Sequence, residues 1–420
     1  MSESWVTELD HAVDRLFAEV VELREHLHAH PELSGEENNT SLHLYQRLAE
    51  HGLQVRIGPE GQGVIADLNW SGNGSKSPCI AIRADIDALP IQDQTDRPYR
   101  SQNPGVMHAC GHDAHAAIAT GTLAVLAELS QAQQIPWPIS TRGIFQPAEE
   151  TCQGAIRMID AGCLDGVQAI LSLHVDPSRD VGRIGFRNGV MTAHCDDVRL
   201  RITGQGGHAA RPHEAADPVA VCAQLISSLY MFVPRATDSL DAVVLSIGRI
   251  RGADVANAIP EWVELRGTLR TLDPVVRAKA IEHIRQLAEG IGQASGTQIE
   301  IEIGVGSGSI HNDAQLVEIV RQSGVDVLGE GSLDTIERPS MGSEDFAYYL
   351  EHVPGAMFRL GSASAAVGNA PLHSPTFDVD RESLRIGVRF MARSVIQWCN
   401  PDRQNGFRGT SKMRGAECEN

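Results

Sequence analysis

The chain has 420 residues, of which 42% are apolar and 21% are charged, and its formal net charge is -19. The length favours two domains and the composition is that of a globular protein, while the acidic balance argues against nucleic acid or an anionic membrane as partner. The chain has no apolar run of about eighteen residues, no signal-peptide pattern at its start, and eight cysteines scattered singly. We therefore expect a cytoplasmic protein without a disulfide framework.

The first half of the chain predicts helices that alternate with short buried strands. An amphipathic helix runs from Leu9 to Leu27 and stops before Pro31. Further helices are predicted at Ala114–Leu129 and Gly154–Ala161, and strands at Cys79–Ala84, Ile139–Phe145 and Ala169–Leu173, the last ending at His174. Such alternation indicates an α/β sheet, and polar residues follow the strands, where open α/β sheets bind their ligands.

From about Met191 the pattern changes to alternating strands and helices typical of an antiparallel sheet with one exposed face, and α/β character returns after about Gly306. The predicted elements of this half are strands Asp197–Thr203, Trp262–Leu269 and Ala356–Leu360, and helices Pro218–Phe232, Pro274–Ile291, Ala314–Val327, Ser343–Leu350 and Arg381–Trp398. We predict a discontinuous α/β domain with a mixed sheet flanked by helices (1–190 and 306–400). An α+β domain is inserted into it (191–305), and a flexible tail follows (401–420).

The densest group of metal-binding side-chain types lies in the segment HACGHDAH. Cys110 and His112 are two residues apart on a loop that Gly111 allows to bend, so a thiolate and an imidazole can approach one cation. Asp113 and His115 are candidates to hydrogen-bond a ligand imidazole and fix its tautomer. The alternative is a buried cysteine beside an ordinary helix N-terminus, and the number of ligand-type residues favours the metal site.

Acidic residues follow two of the predicted strands. Glu149 and Glu150 project in different directions, so one can bind a cation while the other acts as general base toward a water. A solvated acidic pair is the alternative, and the position at a predicted sheet edge favours function. Asp85 and Asp87 end the first strand. Asp87 is predicted to orient a ligand histidine or the water, whereas Asp85 is equally consistent with a structural role.

Two histidines far apart in the sequence, His174 and His373, add to these candidates. Taken alone, each is more often structural. Together with Cys110, His112 and Glu150 they make five ligands, which is enough for two cations that share one ligand. A thiolate can form the shared ligand, because sulfur can span two soft or borderline ions.

Three polar residues of the inserted domain are candidates to contact a substrate. His208 lies on a glycine-rich turn and can donate to a developing oxyanion. Arg270 can bind a substrate carboxylate with two hydrogen bonds, and Asn257 is a polar residue near a strand end. No Lys-Ser/Thr pair follows the glycines, which argues against a phosphate-binding loop. Ordinary surface residues are the alternative for all three.

A series of segments resembles the M20 metallopeptidase family, in particular its branch of aminoacylases, hippurate hydrolases and auxin-conjugate amidohydrolases. The segments are LREHLHAHPELSGEE, IRADIDALPI, GVMHACGHDAH, QPAEE, LHV, GQGGHAARPH, NAIP, GTLRT, MGSEDFAYYL and PLHSPTF. They occur in the order of the family and cover the chain to about Trp398. HACGHD together with PAEE and LHSP is a specific combination.

The resemblance implies a two-metal site in which Cys110 bridges the cations, Glu149 is the general base and Asp87 supports the site. The remaining ligands correspond to His112, Glu150, His174 and His373. The chain departs from the branch after the glutamates, where Thr151-Cys152 stands in place of the usual glycines, and NAIP replaces the usual NVIP. These departures remove no ligand and bear on substrate preference, not on the reaction.

The resemblance also implies a homodimer formed through the inserted domain, which acts as a lid. Substrate contacts from the lid are implied for Asn257, Arg270 and His208, with His208 implied to contact the partner subunit's active site. The implied reaction is hydrolysis of the amide bond of an N-acyl-amino acid by a water that two divalent cations activate, with zinc or manganese expected and cobalt or nickel as alternatives.

Three other functions compete with this one. A dipeptidase or carboxypeptidase, acting on short peptides, would use the same metal site. A non-catalytic metal-binding or redox-sensing protein would lack a base, and Glu149 beside the ligand glutamate argues against it. A structural zinc site normally takes four ligands close in sequence, whereas the candidates here span more than half the chain.

Overall fold

The computed structural model describes residues 4–70, 78–252 and 254–403, and the chain divides into two compact units. The first unit contains the chain up to Gly189, His311–Glu337 and the chain from Tyr348 on; the second contains Val190–Ile310 and Arg338–Ala347. The sequence predicts this last segment within the first domain, in the range 306–400. It belongs with the second unit, where its backbone carbonyls accept hydrogen bonds from Ala193 N–H and the Arg270 side chain.

Of the predicted tail, 401–420, the residues from 404 on lie outside the described residues, and 401–403 are helical. Among the helices described, none combines the length and the apolar character that crossing a bilayer requires.

The α-helices are α1 Ser4–Ala29, α2 Asn38–Glu50, α3 His112–Gln131, α4 Gly154–Asp160, α5 Pro218–Arg235, α6 Pro274–Ser295, α7 Ala314–Leu328, α8 Ala347–Leu350 and α9 Arg381–Trp398. Short 3-10 helices lie at Pro59–Gly61, Pro212–Glu214 and Glu330–Ser332. The strands are β1 Gln54–Ile57, β2 Val64–Trp70, β3 Cys79–Asp85, β4 Ile139–Gln146, β5 Val167–Asp180, β6 Ile184–Phe186, β7 Gly189–Val190, β8 His194–Thr203, β9 Gly207–His208, β10 Val243–Arg251, β11 Ala258–Ile259, β12 Trp262–Thr271, β13 Gln298–Ser307, β14 His311–Asn312, β15 Leu333–Thr335 and β16 Gly355–Ala363.

The first unit is built on an eight-stranded sheet in the order β1-β2-β4-β3-β5-β16-β6-β15. The four central strands, β4, β3, β5 and β16, are parallel to one another, while β1, β2 and β6 pair antiparallel with their neighbours toward the centre. The predicted α/β class with a mixed sheet is confirmed. Parallel strands end at one edge of the sheet, and this edge carries the candidate site.

Three helices, α1, α3 and α9, pack against one another in the core of the first unit. α3 is buried around most of its circumference, including Ala117, Leu123 and Leu126, because its sequence is apolar on every face. Each large apolar side chain buried in this way contributes about 1.5–3 kcal/mol. The loop before α3 is therefore attached to a rigid element.

The second unit contains a four-stranded antiparallel sheet, β10-β12-β8-β13, with α5 and α6 packed against it. Both helices begin in the same way: Asp217 and Asp273 accept the first backbone N–H groups, and each is followed by a proline. The core includes Leu200 and Leu225. The predicted α+β character of this region is confirmed.

Two predicted elements differ from the structure. The strand expected to end at His174 continues to Asp180, because it pairs in parallel with β16, a strand far along the chain. The helix expected from Ser343 begins only at Ala347. The Glu344 carboxylate accepts the Phe346 N–H at 3.1 Å, and this local hydrogen bond competes with a helical turn.

Candidate metal centre

Ligand-type side chains from four separate segments of the first unit lie together beyond the carboxyl ends of β3 and β4 and beside the middle of β5. Cys110 lies on the loop before α3, and His112 is the first residue of that helix. Glu150 lies on the turn after β4, His174 on β5, and His373 on the loop between β16 and α9. The topology, not sequence proximity, assembles this group.

Among the groups of three side chains that have the spacing of a cation site, two include Cys110. The ligand atoms of Cys110, His112 and His174 lie within 4.8 Å of one another, as do those of Cys110, Glu150 and His373. His174 Nε2 is 3.5 Å from Cys110 Sγ, and His373 Nε2 is 3.3 Å from Glu150 Oε1. A thiolate shared by two triads is the arrangement expected of two adjacent cations with one bridging ligand.

The polar atoms at the centre of this group fit a metal. His112 Nε2 and Glu150 Oε1 are buried and 4.0 Å apart, and neither makes a hydrogen bond of normal geometry among the described residues, although Glu150 Oε1 also lies 3.3 Å from His373 Nε2. A buried polar atom left unpaired costs about 1–3 kcal/mol. A divalent cation would satisfy both atoms, because neutral imidazole and carboxylate are common ligands of transition-metal ions.

Asp87 fixes the orientation of His112 and of the glutamate turn. His112 Nδ1 is 2.9 Å from the backbone carbonyl oxygen of Asp87 and 3.0 Å from its Oδ1, which leaves Nε2 as the ligand atom. Asp87 Oδ2 accepts from Ser34 Oγ at 2.7 Å and from Glu150 N–H at 3.0 Å. Burial alone would raise the pKa of Asp87, but these hydrogen bonds, above all that with His112, hold the pKa below its usual range.

His174 is held as a neutral imidazole. Burial lowers the pKa of His174 well below its usual range, and Arg359 and His115 act in the same direction. Its Nδ1 donates to the backbone carbonyl of Val175 at 2.7 Å, so that Nε2 is turned toward Cys110. The neutral ring with a free lone pair on Nε2 is the form that binds a metal.

A strained turn presents the two adjacent glutamates, with Ala148 and Cys152 at positive φ angles of 52° and 54°. Cys152 N–H donates to the Glu149 carbonyl at 2.7 Å, and Ala148 N–H donates to the buried carboxylate of Glu37 at 2.8 Å. Glu149 is 8% exposed, and its carboxylate lies within 4.8 Å of the His112 ligand atom. It is thus beside the two triads that share Cys110 and belongs to neither.

Close backbone contacts hold the loops that carry the site. Gly111 has a φ of 87°, and a Cβ there would lie 2.4 Å from a side chain of β5. Gly154 packs so tightly that a Cβ would lie 1.5 Å from the Pro147 carbonyl oxygen. His373 has a φ of 64°, and its N–H donates to the Ala109 carbonyl at 2.8 Å, which ties its loop to the loop before α3.

A buried ionic network lies at the start of α3. Arg24 Nε is 2.9 Å from Asp113 Oδ2, and its Nη2 is 2.8 Å from Asp378 Oδ1. His28 Nδ1 is 2.7 Å from Asp113 Oδ2. The sequence made Asp113 a candidate to hydrogen-bond a ligand imidazole; its carboxylate pairs with α1 residues instead, because α1 packs against α3.

The three substrate-binding candidates lie in the second unit. His208 and Asn257 are neighbours, because β9 pairs with β11 and Asn257 directly precedes β11. His208 Nδ1 accepts the Ala210 N–H at 3.0 Å, which leaves Nε2 to carry the proton of a neutral ring. Arg270 lies on β12, and its Nη1 donates to the Met341 carbonyl at 2.8 Å.

Several supporting residues were not singled out by the sequence analysis. Ser34 contacts Asp87, Glu37 holds the glutamate turn, and Arg83 Nη1 is 2.6 Å from Asp85 Oδ2. Arg83 could have been found, because a charged residue inside an apolar strand needs a buried partner. Ser34 and Glu37 carry no such signal, since they lie in a loop whose path the sequence does not predict.

The chain is similar to known hydrolases over almost its whole length. The sequence pattern of peptidase family M20/M25/M40 matches residues 81–397. A probable hydrolase of Synechocystis is 41% identical, over 93% of this chain and 98% of its own. N-acetyl-L-cysteine deacetylase of Bacillus subtilis is 37% identical (90% and 87%), and thermostable carboxypeptidase 1 of Saccharolobus solfataricus is 33% identical (91% and 95%).

A solved structure has the same fold. It is that of a dinuclear metal-binding peptidase of the M20 family from Bacillus subtilis, with a TM-score of 0.78 and 33% sequence identity. The match covers 92% of this chain and 99% of that one. Residues 81–397, which the family pattern matches, contain every candidate ligand from Cys110 to His373. The chain therefore belongs to peptidase family M20/M25/M40 and is a hydrolase.

Proposed function

We propose that the protein is a dinuclear metal-dependent amidohydrolase that releases the amino acid from an N-acyl-amino acid. The observation that carries the proposal is the pair of ligand triads that share Cys110, with the buried carboxylate of Glu149 beside them. A ligand set next to a separate carboxylate is what metal-assisted hydrolysis requires, because one group must hold the cations and another must move the proton.

The five ligands divide between two cation positions. His112 and His174 belong to one position and Glu150 and His373 to the other, with Cys110 shared. Zinc or manganese is the expected metal, with cobalt and nickel as alternatives. When bound, the two cations would lower the pKa of a water and polarise the scissile carbonyl.

Glu149 moves the proton in this mechanism. Its carboxylate takes a proton from the attacking water and later donates it to the nitrogen of the leaving amino acid. Asp87 keeps His112 in the tautomer that presents Nε2 and holds the Glu150 backbone, so it positions residues without contacting the substrate.

Residues of the second unit recognise the substrate. His208 donates from Nε2 to the oxyanion that forms at the carbonyl, and the hydrogen bond from Ala210 N–H to its Nδ1 supports this tautomer. We assign this contact to a His208 donated across a dimer. Arg270 binds the amino-acid carboxylate through its guanidinium, and Asn257, next to His208, binds the substrate amide.

A homodimer through the second unit is supported by an apolar surface on that unit. Tyr230, Met231 and Phe232 of α5 are 45%, 55% and 44% exposed, and Ile250 of the edge strand β10 is 59% exposed. The Tyr230 hydroxyl accepts the Ile247 N–H, so helix and strand form one surface. An unpaired edge strand beside apolar side chains is typical of an interface. Met231→Asp should convert a dimer to a monomer in light scattering after gel filtration.

A peptidase acting on short peptides through the same residues is the second candidate. The 33% identity to thermostable carboxypeptidase 1 favours it, whereas the 37% identity to N-acetyl-L-cysteine deacetylase favours the acylated substrates. The two kinds of substrate differ on the carbonyl side of the scissile amide bond. An N-acyl-amino acid carries an acyl group there, whereas a peptide carries a residue with a free amine.

The deciding experiment uses metal-free protein with N-acetyl-, N-benzoyl- and indoleacetyl-amino acids and dipeptides, adding zinc, manganese, cobalt or nickel singly. Metal-restored release of amino acid from the acylated compounds is the expected result. Cleavage of dipeptides alone would establish the second candidate. Metal binding without turnover of any substrate would overturn both and favour a sensor.

A further inference from the structure

A series of buried hydrogen bonds lies beside the candidate ligands and begins at residues that are not themselves candidate ligands. Arg83 Nη1 is 2.6 Å from Asp85 Oδ2, and Asp85 Oδ1 is 2.6 Å from His115 Nδ1. His115 Nε2 in turn accepts the backbone N–H of Val175 at 3.0 Å. All four residues are at most 2% exposed. The series connects the end of β3, the first turn of α3 and the middle of β5.

These contacts determine the tautomer of His115. Because Nε2 accepts a hydrogen bond, the ring proton lies on Nδ1 and is donated to Asp85. Asp85, His112 and His115 have atoms within 4.8 Å of one another and could hold a cation by spacing alone. Both nitrogens of His115 are already in use, however, so this group is a hydrogen-bonded pair next to a ligand and not a third cation site.

The series of hydrogen bonds ends at His174, a candidate ligand of the metal centre. The Val175 N–H is bound by His115, and the Val175 carbonyl accepts from His174 Nδ1 at 2.7 Å. These two groups belong to successive peptide units joined at the Val175 Cα, so the backbone at Val175 connects His115 to the His174 ring. Its Nε2 lies 3.5 Å from Cys110 Sγ as a result. Hydrogen-bond partners that orient a ligand imidazole determine metal affinity.

We propose that Asp85 and His115 are positioning residues that act through the backbone on both sides of the Val175 Cα to set the position of His174. They thereby control the affinity of the triad Cys110–His112–His174 for its cation, and not that of the triad with His373. This inference rests on the proposed dinuclear site.

Asp85→Asn tests the tautomer directly. Arg83 donates to Oδ2, so the asparagine would turn its oxygen toward Arg83 and its NH2 group toward His115. His115 would then accept on Nδ1 and carry its proton on Nε2, where it faces the Val175 N–H. The His115 Nε2–H and the Val175 N–H would then be two donors in contact, and their repulsion would displace the peptide group between His174 and Val175. The variant side chain differs from that of the wild type only in an NH2 group that replaces a carboxylate oxygen.

The matched variants His115→Gln and His115→Leu separate the effect of hydrogen bonding from that of packing. Gln at position 115 offers an amide oxygen to Val175 N–H and an NH2 group to Asp85, whereas Leu has a comparable volume and no polar atom. Ser172→Ala is the control, because Ser172 lies on β5, is buried, and donates to the Arg83 carbonyl at 3.2 Å without contacting Val175. A packing role would not distinguish Gln from Leu.

The experiment titrates metal-free protein with Co²⁺ and follows the thiolate charge-transfer and d–d bands together with bound cobalt per chain. Wild type and Ser172→Ala should bind two Co²⁺. Asp85→Asn and His115→Leu should bind one Co²⁺ normally and the second about 10- to 100-fold more weakly, with His115→Gln closer to wild type. Circular dichroism establishes that each variant is folded.

The outcomes separate the two proposals. Two tightly bound Co²⁺ in both Asp85→Asn and His115→Leu, with unchanged spectra, would overturn the positioning role and leave the amidohydrolase intact. Equal loss in His115→Gln and His115→Leu would also overturn it, because packing would then account for the effect. Fewer than two Co²⁺ in the wild type would overturn the dinuclear site and this inference with it.

Discussion

The two adjacent glutamates should respond in opposite ways to the same substitution. Glu150 Oε1 lies 3.3 Å from His373 Nε2 and belongs to a triad with Cys110, whereas Glu149 lies outside both triads that share Cys110. Replacing either by Gln removes the charge and keeps the shape. Glu149→Gln should retain both cations and lose turnover, while Glu150→Gln should lose a cation.

The magnitude follows from the role of each group. A positioned general base contributes about 10²- to 10⁴-fold to a rate, so Glu149→Gln should lower kcat by that factor, or about 3–5 kcal/mol, with KM little changed. In Glu150→Gln, the cation position that includes Cys110 and His373 loses its anionic carboxylate ligand, and the metal content should fall toward one ion per chain. Excess metal should restore part of the Glu150→Gln activity and none of the Glu149→Gln activity.

The assay measures metal content by elemental analysis and turnover of an acylated amino acid on the same protein samples. Activity of Glu149→Gln within tenfold of wild type would refute the assignment of the base. Loss of metal from Glu149→Gln, with metal retained in Glu150→Gln, would show that the roles are reversed.

Substitutions at Gly154, Arg24 and His43 give three further predictions, with Arg15→Leu as the control for Arg24→Leu. Gly154→Ala places a Cβ 1.5 Å from the Pro147 carbonyl oxygen, so we expect a folded protein by circular dichroism whose activity falls at least tenfold. Arg24→Leu removes the buried cation shared by the carboxylates of Asp113 and Asp378, which keep His28 and Arg97 as partners, and should cost about 3–5 kcal/mol in urea unfolding. Arg15→Leu removes an exposed ion pair and should cost less than about 1 kcal/mol. Burial lowers the pKa of His43 to about 4, below the unfolded value of about 6.5, so stability present above pH about 6.5 is lost as the pH falls toward about 4. His43→Gln should flatten this part of the urea-midpoint profile, and an unchanged slope would contradict the assignment.

Local sequence patterns were sufficient for most of the described α-helices and for six of the sixteen described strands. The bounds of α9 agree with the prediction because Arg381 follows an N-cap aspartate and the apolar residues recur at helical spacing. The end of β5 could not be predicted, since its last residues are held by pairing with β16. Helical spacing also failed at Ser343, where a side-chain hydrogen bond replaces the first turn.

The candidate site, like the fold, was predictable from the local sequence only in part. Residue type and spacing singled out Cys110 and His112, and the topology places them with the distant His174 and His373. Their roles as ligands stay a prediction until metal is measured. The series of hydrogen bonds from Asp85 through His115 to the Val175 N–H was not predictable, because it depends on contacts between separate elements that no local pattern encodes.

The central position of β16 has a consequence for biosynthesis. The strand lies between β5 and β6 in the sheet, yet it is synthesised after the entire second unit. Until it emerges from the ribosome, the edge of β5 that faces β16 presents unpaired backbone N–H and C=O groups, and unpaired strand edges are sites of aggregation. His373 is made later still, so the proposed cation position of Cys110, Glu150 and His373 is complete only in a chain elongated past that residue. Filling of that position would then be a late event that distinguishes a finished polypeptide from an interrupted one.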